Sequence, residues 1–428
     1  MKKIYLLLVM AVLGLNVSAQ VWDGASAKPW TQGDGSENNP YQIESPEQLA
    51  YLSQRVAEKE TFEGKFFKMV NNLDMGGKAF TPIGLFNEEQ NSSTGETTDK
   101  SLYFKGIFDG NFKTIRNLLI NKGTSQTTDE TGTSYISVGL FACSHPSTVI
   151  RNVVLDTSSN IAVAGQYVGA FIGVMKGGLL ENCMNLGSVS GQATVGGLVG
   201  FILQRSTIQY CANKGTVKAP GIETGGIAAH IEKDAVIRGC YNAGDITTDY
   251  YFTGGIAGTS YDTPTVTNCY NIGKVSGLSS PYISQPHAIL GENDKNSAIV
   301  ANNYYVKSLA GVDDVAGMDQ TEEEMKSESI LAKLNKDDAN NPFVADKQNT
   351  NNGFPVLFWE QNTVTAINHT DAATNPRISH GTISSTEPVV VWNLAGQVIA
   401  SGKNIHLDKK GIYLVGQQGK PVMKVMVK

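Results

Sequence analysis

The chain reads Ile237-Arg238-Gly239-Cys240-Tyr241-Asn242-Ala243-Gly244 inside a segment, residues 167–277, that contains four versions of this line. The other three are Leu180-Glu181-Asn182-Cys183-Met184-Asn185-Leu186-Gly187, Ile208-Gln209-Tyr210-Cys211-Ala212-Asn213-Lys214-Gly215 and Val266-Thr267-Asn268-Cys269-Tyr270-Asn271-Ile272-Gly273. Their cysteines are 28, 29 and 29 residues apart. A fixed period of this length is typical of a solenoid, in which each repeat buries its apolar face only against its neighbours.

A glycine-rich aliphatic phrase precedes each of these lines. The four phrases span residues 168–173, 195–200, 224–229 and 253–258. Within a repeat the apolar residues fall in short bursts of strand length, separated by glycine and polar turns, which indicates one coil of a parallel β-helix. A pair of helices per repeat is the alternative for this period, but the Gly-Gly pairs and the many β-branched residues disfavour it.

Stacked coils place equivalent residues in columns, with neighbouring coils roughly 4.8 Å apart. We therefore expect an inward column of thiols, a hydrogen-bonded ladder of asparagines at a bend, and glycines at a bend that needs positive φ. The residues are Cys183, Cys211, Cys240 and Cys269, then Asn185, Asn213, Asn242 and Asn271, and finally Gly187, Gly215, Gly244 and Gly273. Val153 and Asn303 take the cysteine position in neighbouring coils, and Cys143 lies outside the column.

The redox state of these cysteines is a separate question, because exported proteins form disulfides. Cysteines in register on stacked coils have parallel Cβ vectors that lie slightly too far apart for good disulfide geometry. We expect buried free thiols that fill space as small apolar groups.

The arrangement resembles that of the GLUG-repeat proteins, which are bacterial secreted and surface proteins. The phrases Gly226-Ile227-Ala228 and Gly255-Ile256-Ala257-Gly258 carry the resemblance in the second half of the chain. Matching N-terminal residues are Asp34-Gly35-Ser36, Pro40-Tyr41-Gln42-Ile43, Leu49-Ala50-Tyr51-Leu52, Pro82-Ile83-Gly84 and Phe108-Asp109-Gly110-Asn111. The resemblance covers most of residues 33–360 and implies the β-helix fold, but no catalytic site.

The N-terminus predicts export. Residues 1–19 contain Lys2-Lys3, an apolar run and Val17-Ser18-Ala19, the pattern of a signal peptide. No other run approaches the ~18 apolar residues of a membrane span, so we expect none in the mature chain. The net charge of −6 and the pI near 5.6 give no reason to expect nucleic acid as a partner.

The rest of the first 360 residues flanks and closes the β-helix. Residues 20–65 form an N-terminal segment whose helix, Pro46–Lys59, should cover the open first coil. The repeats occupy residues 66–310, with polar excursions at 87–101 and 121–134 that we expect to be mobile loops on one side of the solenoid. In residues 311–360 we expect a helix from Thr321 to Leu334, and a segment at 352–359 that plugs the C-terminal end.

Residues 361–377 are predicted to be a linker, and residues 378–428 a small β-sandwich-like module. This module resembles the C-terminal sorting domain of type IX secretion. The matching residues are Val391-Trp392-Asn393-Leu394-Ala395-Gly396-Gln397-Val398, Lys410-Gly411-Ile412-Tyr413 and Lys424-Val425-Met426-Val427-Lys428.

Catalytic and metal-binding patterns are weak. The nearest approach to a His-Glu-x-x-His motif is His230-Ile231-Glu232, which lacks the second histidine. The acids Glu223, Asp245, Asp249 and Asp262 occupy different phases of the repeat, so we do not expect them to converge. The segment Asp34–Asn38 lacks the strict alternation of a calcium loop and is predicted to be a turn. We expect no metal site and no cofactor.

The corners between coils are the preferred binding candidates. Tyr250, Tyr251 and Tyr282 should gather on one edge, where exposed aromatic rings suit a glycan or an extracellular host protein. The leading hypothesis is a monomeric, non-catalytic, adhesin-like protein that is secreted or displayed on the cell surface. The alternatives are a β-helix enzyme that degrades polysaccharide, either a lyase or a glycoside hydrolase, and a structural stalk.

Overall fold

The computed structural model describes residues 21–90, 94–122, 127–128, 134–249, 251–277, 285–294, 297–363, 377–379, 382–392, 398–407, 411–416 and 423–427. The chain divides into two compact units, with the boundary between Gln361 and Asn362. The predicted signal peptide and most of the predicted linker lie outside the described residues.

The first unit is a parallel β-solenoid of about eight turns, which confirms the predicted fold class. Three parallel sheets line it, here named the long sheet, the first side sheet and the second side sheet. The strands of the long sheet are Tyr41–Ile43, Phe66–Met69, Leu73–Asp74, Ile107–Arg116, Phe141–Ser144, Val149–Leu155, Ile172–Glu181, Met184–Asn185, Val199–Gln209, Ala212–Asn213, Ala228–Glu232, Val236–Arg238, Tyr241–Asn242, Ala257–Tyr261, Thr265–Thr267, Tyr270–Asn271, Leu290–Asn293, Ile299–Ala301, Tyr304–Tyr305 and Met318–Asp319.

The two side sheets complete each coil. The first side sheet contains Ser137–Val138, Tyr167–Val168, Thr194–Gly196, Glu223–Gly225 and Thr253–Gly254. The second contains Leu119–Ile120, Asn160–Ala162, Ser188–Ser190, Val217–Ala219, Ile246–Thr248 and Val275–Ser276. Their aliphatic side chains and those of the long sheet fill one continuous core.

The asparagines and cysteines form two buried columns. The Asn185 side-chain amide donates to Oδ1 of Asn213 at 2.9 Å, and the same bond continues to Asn242 and then to Asn271 at 2.8 Å each. Each column thiol donates to the carbonyl two residues earlier, as Cys211 does to Gln209 at 3.1 Å. All five cysteines of the chain are buried free thiols.

The expectation of positive φ at the column glycines is wrong. The left-handed residue is the one before the cysteine, with φ of 51° at Asn182 and 54° at Tyr210. The glycine is needed for a close approach instead, because a Cβ on Gly244 would lie 1.9 Å from the carbonyl oxygen of Gly215 in the preceding coil.

The N-terminal helix, Pro46–Ala57, ends two residues before the predicted Lys59. Leu49, Leu52 and Val56 are fully buried and belong to the solenoid core. The helix therefore covers core residues beside the first strand of the long sheet.

The two polar excursions, which the sequence predicts to be mobile loops, contain short antiparallel hairpins. Glu88–Gln90 pairs with Thr97–Asp99, and Thr127–Thr128 pairs with Ser134–Tyr135. The first hairpin is held against the solenoid by Lys176, whose Nζ pairs with Glu88 and lies 3.1 Å from Oδ2 of Asp99. A polar hairpin can thus pack through a half-buried cation without apolar residues of its own.

The last coil is closed by residues 307–320. Met318–Asp319 pairs with Tyr304–Tyr305 as the final strand of the long sheet. Oδ2 of Asp314 accepts hydrogen bonds from the amides of Ile289 and Leu290, at 2.6 and 2.8 Å. The single helix predicted from Thr321 to Leu334 is two short helices, Glu322–Met325 and Glu328–Leu334. Two other short helices are Lys307–Ala310 and Glu360–Thr363.

The segment 328–361, here called the strap, does not plug the C-terminal end as predicted. It runs along the outside of the coils, where Trp359 stacks on Phe112 with ring centroids 5.6 Å apart and donates its indole N–H to the Tyr210 carbonyl at 3.0 Å. The Tyr241 hydroxyl donates to the buried carboxylate of Glu360 at 2.9 Å. The strap also contains the antiparallel pair Phe343–Val344 and Val356–Leu357.

The second unit is an antiparallel sheet. Its strands are Arg377–Ser379, Thr382–Trp392, Val398–His406, Gly411–Gly416 and Met423–Val427. The described strands form one sheet, whereas the sequence predicts a sandwich-like module.

Candidate functional site

An outward surface of the solenoid, here called the His230 face, gathers aromatic and charged side chains from successive coils. Its residues are Tyr167, Phe201, Glu223, His230, Glu232 and Tyr261. The alternation of the long sheet explains the outward direction of Phe201 and His230, because the adjacent Ile202 and Ile231 are fully buried in the core.

A tight bend between the first side sheet and the long sheet brings this set together. A Cβ on Gly225 would lie 1.8 Å from the carbonyl oxygen of Ala228, so only glycine permits the bend. A Cβ on Gly200 would lie 2.6 Å from the amide nitrogen of Val168 in the preceding coil. Strands on the two sides of the bend are therefore close enough for their side chains to meet.

Four rings stack along the face, one from each coil. The centroid of Phe201 lies 4.9 Å from that of Tyr167 and 4.2 Å from that of His230. The imidazole of His230 also stacks on Tyr261 at 5.2 Å, with an interplanar angle of 23°. The rings of Tyr167, Phe201 and Tyr261 stay half-buried, so part of each faces solvent.

His230 lies between two carboxylates. Its Nδ1 is 2.9 Å from Oε1 of Glu223, and its Nε2 is 3.6 Å from Oε2 of Glu232. Burial lowers the pKa of His230, but the hydrogen bond to Glu223 and the nearby carboxylate of Glu232 outweigh burial and raise this pKa to about 9. His230 is therefore an imidazolium at neutral pH.

Glu232 is held in its charged form by the same contacts. Burial raises its pKa, while His230 and the ammonium of Lys233, 3.0 Å from Oε1, lower it, and the net shift is downward. The two cations His230 and Lys233 and the two carboxylates of Glu223 and Glu232 therefore form a charge-balanced network on a half-buried surface.

A row of left-handed bends borders the His230 face: an irregularity within the strand Val199–Gln209, and turns that follow the strands Ala228–Glu232 and Ala257–Tyr261 in the next two coils. We call it the turn row; its residues are Gln204, Arg205, Lys233, Asp234, Asp262 and Thr263. The φ values are 62° at Gln204, 53° and 60° at Lys233 and Asp234, and 55° and 59° at Asp262 and Thr263. Non-glycine residues rarely adopt this left-handed region, and such strained positions are enriched at functional sites.

Four residues of the turn row, Gln204, Arg205, Lys233 and Asp234, line an open cleft of about 420 Å³ together with Pro146 and Gly177. Arg205 is 88% exposed, and its Nε lies 3.6 Å from Oδ2 of Asp234. The hydroxyl of Thr263 donates to Oδ1 of Asp234 at 2.9 Å. Amide, guanidinium, ammonium and carboxylate groups thus all line this cleft, and the Thr263 hydroxyl binds one of its carboxylates.

Comparisons with known proteins place few limits on this site. No protein-family model matches the chain. No solved structure matches it. The chain is 29% identical to Halomucin of Haloquadratum walsbyi over 187 residues, which is 42% of this chain and 2% of Halomucin. The match covers a very small part of that relative, and the resemblances to GLUG-repeat proteins and to the type IX sorting domain stay predictions.

Of the three tyrosines predicted to form a binding edge, one lies among the described residues. Tyr250 and Tyr282 lie outside the described residues. Tyr251 is half-buried, and its ring centroid lies 5.7 Å from that of Phe252. Phe252 precedes Thr253, which pairs with Thr224, so this corner adjoins Glu223 and the His230 face.

The sequence did not predict that Glu223 and Glu232 converge on His230. Of the other acids considered there, Asp245 lies near the second side sheet, where it accepts a hydrogen bond from the backbone amide of Lys274 at 3.2 Å. The sequence contains one signal that could have indicated the stacked rings. Phe201 and His230 each directly follow the glycine phrase of their repeat, and the structure pairs these two positions directly.

The described residues contain no group of three or more His, Cys, Asp and Glu that could hold a metal ion. No helix in the described part of the chain is long and apolar enough to cross a membrane.

In the segment Asp34–Asn38, Oδ1 of Asp34 accepts a hydrogen bond from the amide of Ser36 at 2.8 Å, as in an Asx turn.

Proposed function

We propose that this protein is an exported, non-catalytic, adhesin-like binding protein whose ligand contacts the turn row and the adjoining His230 face. The observation that carries the proposal is the row of strained turns that present exposed polar side chains on three successive coils. The predicted signal peptide supports export. Display of many copies on a surface strengthens weak contacts by multivalency.

The exposed position of these side chains supports a role in binding. Arg205 and Lys233 point into solvent, with 88% and 53% of their side chains exposed. Exposed ion pairs such as Arg205 with Asp234 contribute only about 0–1 kcal/mol to stability. Stability alone therefore gives little reason for left-handed turns with charged residues at these positions.

A polysaccharide-degrading enzyme is the second candidate, and the convergence of Glu223 and Glu232 favours it. A glycosidase needs one carboxyl group with a raised pKa that can donate a proton to the leaving oxygen. The pKa of Glu232 is lowered, and Glu223 is hydrogen-bonded to His230 and to the Thr194 hydroxyl. The imidazolium also occupies the space between the two acids, so the geometry favours binding without turnover.

A screen of the mature full chain tests the proposal. The protein is applied to a glycan array and to immobilised extracellular proteins, and a reducing-end assay measures polysaccharide cleavage. The double variant Arg205→Ala/Lys233→Ala is compared with Lys218→Ala/Lys274→Ala, which changes two exposed lysines near the second side sheet.

We expect a ligand whose affinity falls about tenfold in the first double variant and stays within about twofold of wild type in the control. Polysaccharide cleavage that disappears in Glu223→Gln would establish the enzyme in place of the binding protein. Binding lost only in Tyr250→Ala/Tyr251→Ala would move the site to the tyrosine edge.

A further inference from the structure

The ligand class follows from the charges and spacing of the turn row, and this step rests on the proposed function. We infer that the turn row binds a linear, uncharged polysaccharide that lies parallel to the solenoid axis, with about one sugar unit per coil.

The cations of this surface are already paired within the protein. Arg205 faces Asp234 at 3.6 Å, Lys233 faces Glu232 at 3.0 Å, and His230 faces Glu223 at 2.9 Å. Asp262 in the same row adds one further acid. The surface therefore has no surplus positive charge with which to attract an acidic or sulfated polymer.

The hydrogen-bonding groups of the cleft match those of sugars. Sugar hydroxyls both donate and accept, and they need partners of both kinds. Gln204 offers an amide, Arg205 and Lys233 offer donors, and Asp234 offers acceptors. The half-buried ring of Tyr261 and the ring of Pro146, which lines the cleft, supply apolar surface beside these groups.

The repeat of the solenoid fits the repeat of a polymer. Neighbouring coils are ~4.8 Å apart, and a pyranose unit in an extended chain has nearly that length. The amide of Asp234 donates to the carbonyl oxygen of Asp262 at 3.2 Å, so the backbones of adjacent turns are linked at this spacing. A chain along the axis meets one pair of polar side chains at each step: Gln204 and Arg205, then Lys233 and Asp234, then Asp262 and Thr263.

A series of oligosaccharides tests the inference by calorimetric titration of the full chain. The neutral probes are cello-, xylo-, manno- and laminari-oligosaccharides of increasing length, and the acidic probe is oligogalacturonate of matched length. We expect affinity for one neutral series to rise until about three coils are spanned and then to level off. We also expect less than about a twofold change when salt is raised about tenfold, because few net charges are involved.

The double variant Gln204→Ala/Asp234→Ala should weaken this binding about tenfold, while Lys218→Ala should leave it unchanged. Failure of every neutral series to bind overturns the inference. Preference for oligogalacturonate, or binding of a protein ligand alone, also overturns the inference about the ligand class. If the binding of that oligogalacturonate or protein is lost in Arg205→Ala/Lys233→Ala, the proposed function still stands. Loss of all binding only in Tyr250→Ala/Tyr251→Ala overturns both.

Discussion

The Nδ1 atom of His230 lies 2.9 Å from Oε1 of Glu223, a residue seven positions earlier that belongs to a different sheet. The contact crosses the tight bend between the first side sheet and the long sheet, where glycines allow the two strands to approach. The same histidine stacks between Phe201 and Tyr261, so one residue joins the charges and the rings of the candidate site.

The pH dependence of stability should report this contact. The pKa of His230 is raised from 6.5 to about 9 in the fold, so its stabilisation is complete below pH 6.5 and is lost as pH rises toward 9. The size of the shift corresponds to roughly 3 kcal/mol. The groups that face the imidazole are Glu223, Glu232 and Tyr261, with Lys233 paired to Glu232.

Urea denaturation at a series of pH values measures this effect. The free energy of unfolding of wild type should fall between pH 6.5 and 9, and His230→Gln should remove most of that slope. An identical slope in both proteins would show that His230 is not held as an imidazolium.

The glycine column should tolerate no side chain. A Cβ on Gly244 would lie 1.9 Å from the Gly215 carbonyl oxygen, so Gly244→Ala forces backbone to move and should cost on the order of 3 kcal/mol. Gly165→Ala is the matched control, because the nearest atom, the Ile136 carbonyl oxygen, is 3.2 Å from the new Cβ. Chemical denaturation of both variants measures the difference, and equal costs would contradict the close stacking of the glycines.

The thiols should be protected in the fold. Cys183, Cys211, Cys240 and Cys269 are fully buried, and burial raises the pKa of Cys211 and of Cys269. A thiol reagent should react with the unfolded chain and hardly at all with the native protein. Immediate reaction of the native protein would mean that the column does not face inward.

The strap should contribute to stability from the side of the solenoid. Trp359→Ala removes the stacking on Phe112 and the hydrogen bond to Tyr210, at a cost of about 3–5 kcal/mol. The neighbouring Phe358→Ala is the control, because that side chain is 41% exposed. Thermal and urea denaturation compare the two, and a small effect of Trp359→Ala would show that the strap is not tightly packed.

The columns could be predicted from the sequence because their spacing of 28–29 residues is the same at each coil. The asparagine bonds join residues 28, 29 and 29 positions apart, as the repeat requires. The role of Gly244 could not be predicted. The repeat shows that glycine is needed at this position, but not whether a positive φ or the lack of space for a Cβ is the reason.

The candidate site and the strap were harder to predict, for a different reason. Glu223 and His230 meet across a bend that recurs in successive coils, but the preceding coil has Thr194 and Phe201 at the same two positions, so the repeat does not indicate this contact. Tyr241 and Glu360 are 119 residues apart, and Glu360 belongs to no repeat. Contacts of this kind depend on packing in three dimensions.

Hydrogen–deuterium exchange with and without the tightest ligand from the screen tests the location of the site most directly. We predict slower exchange of backbone amides confined to the turn row and its neighbours, around residues 204–206, 233–235 and 261–263. Slower exchange at residues 248–253 or 88–99, with no change in the turn row, would contradict the assignment.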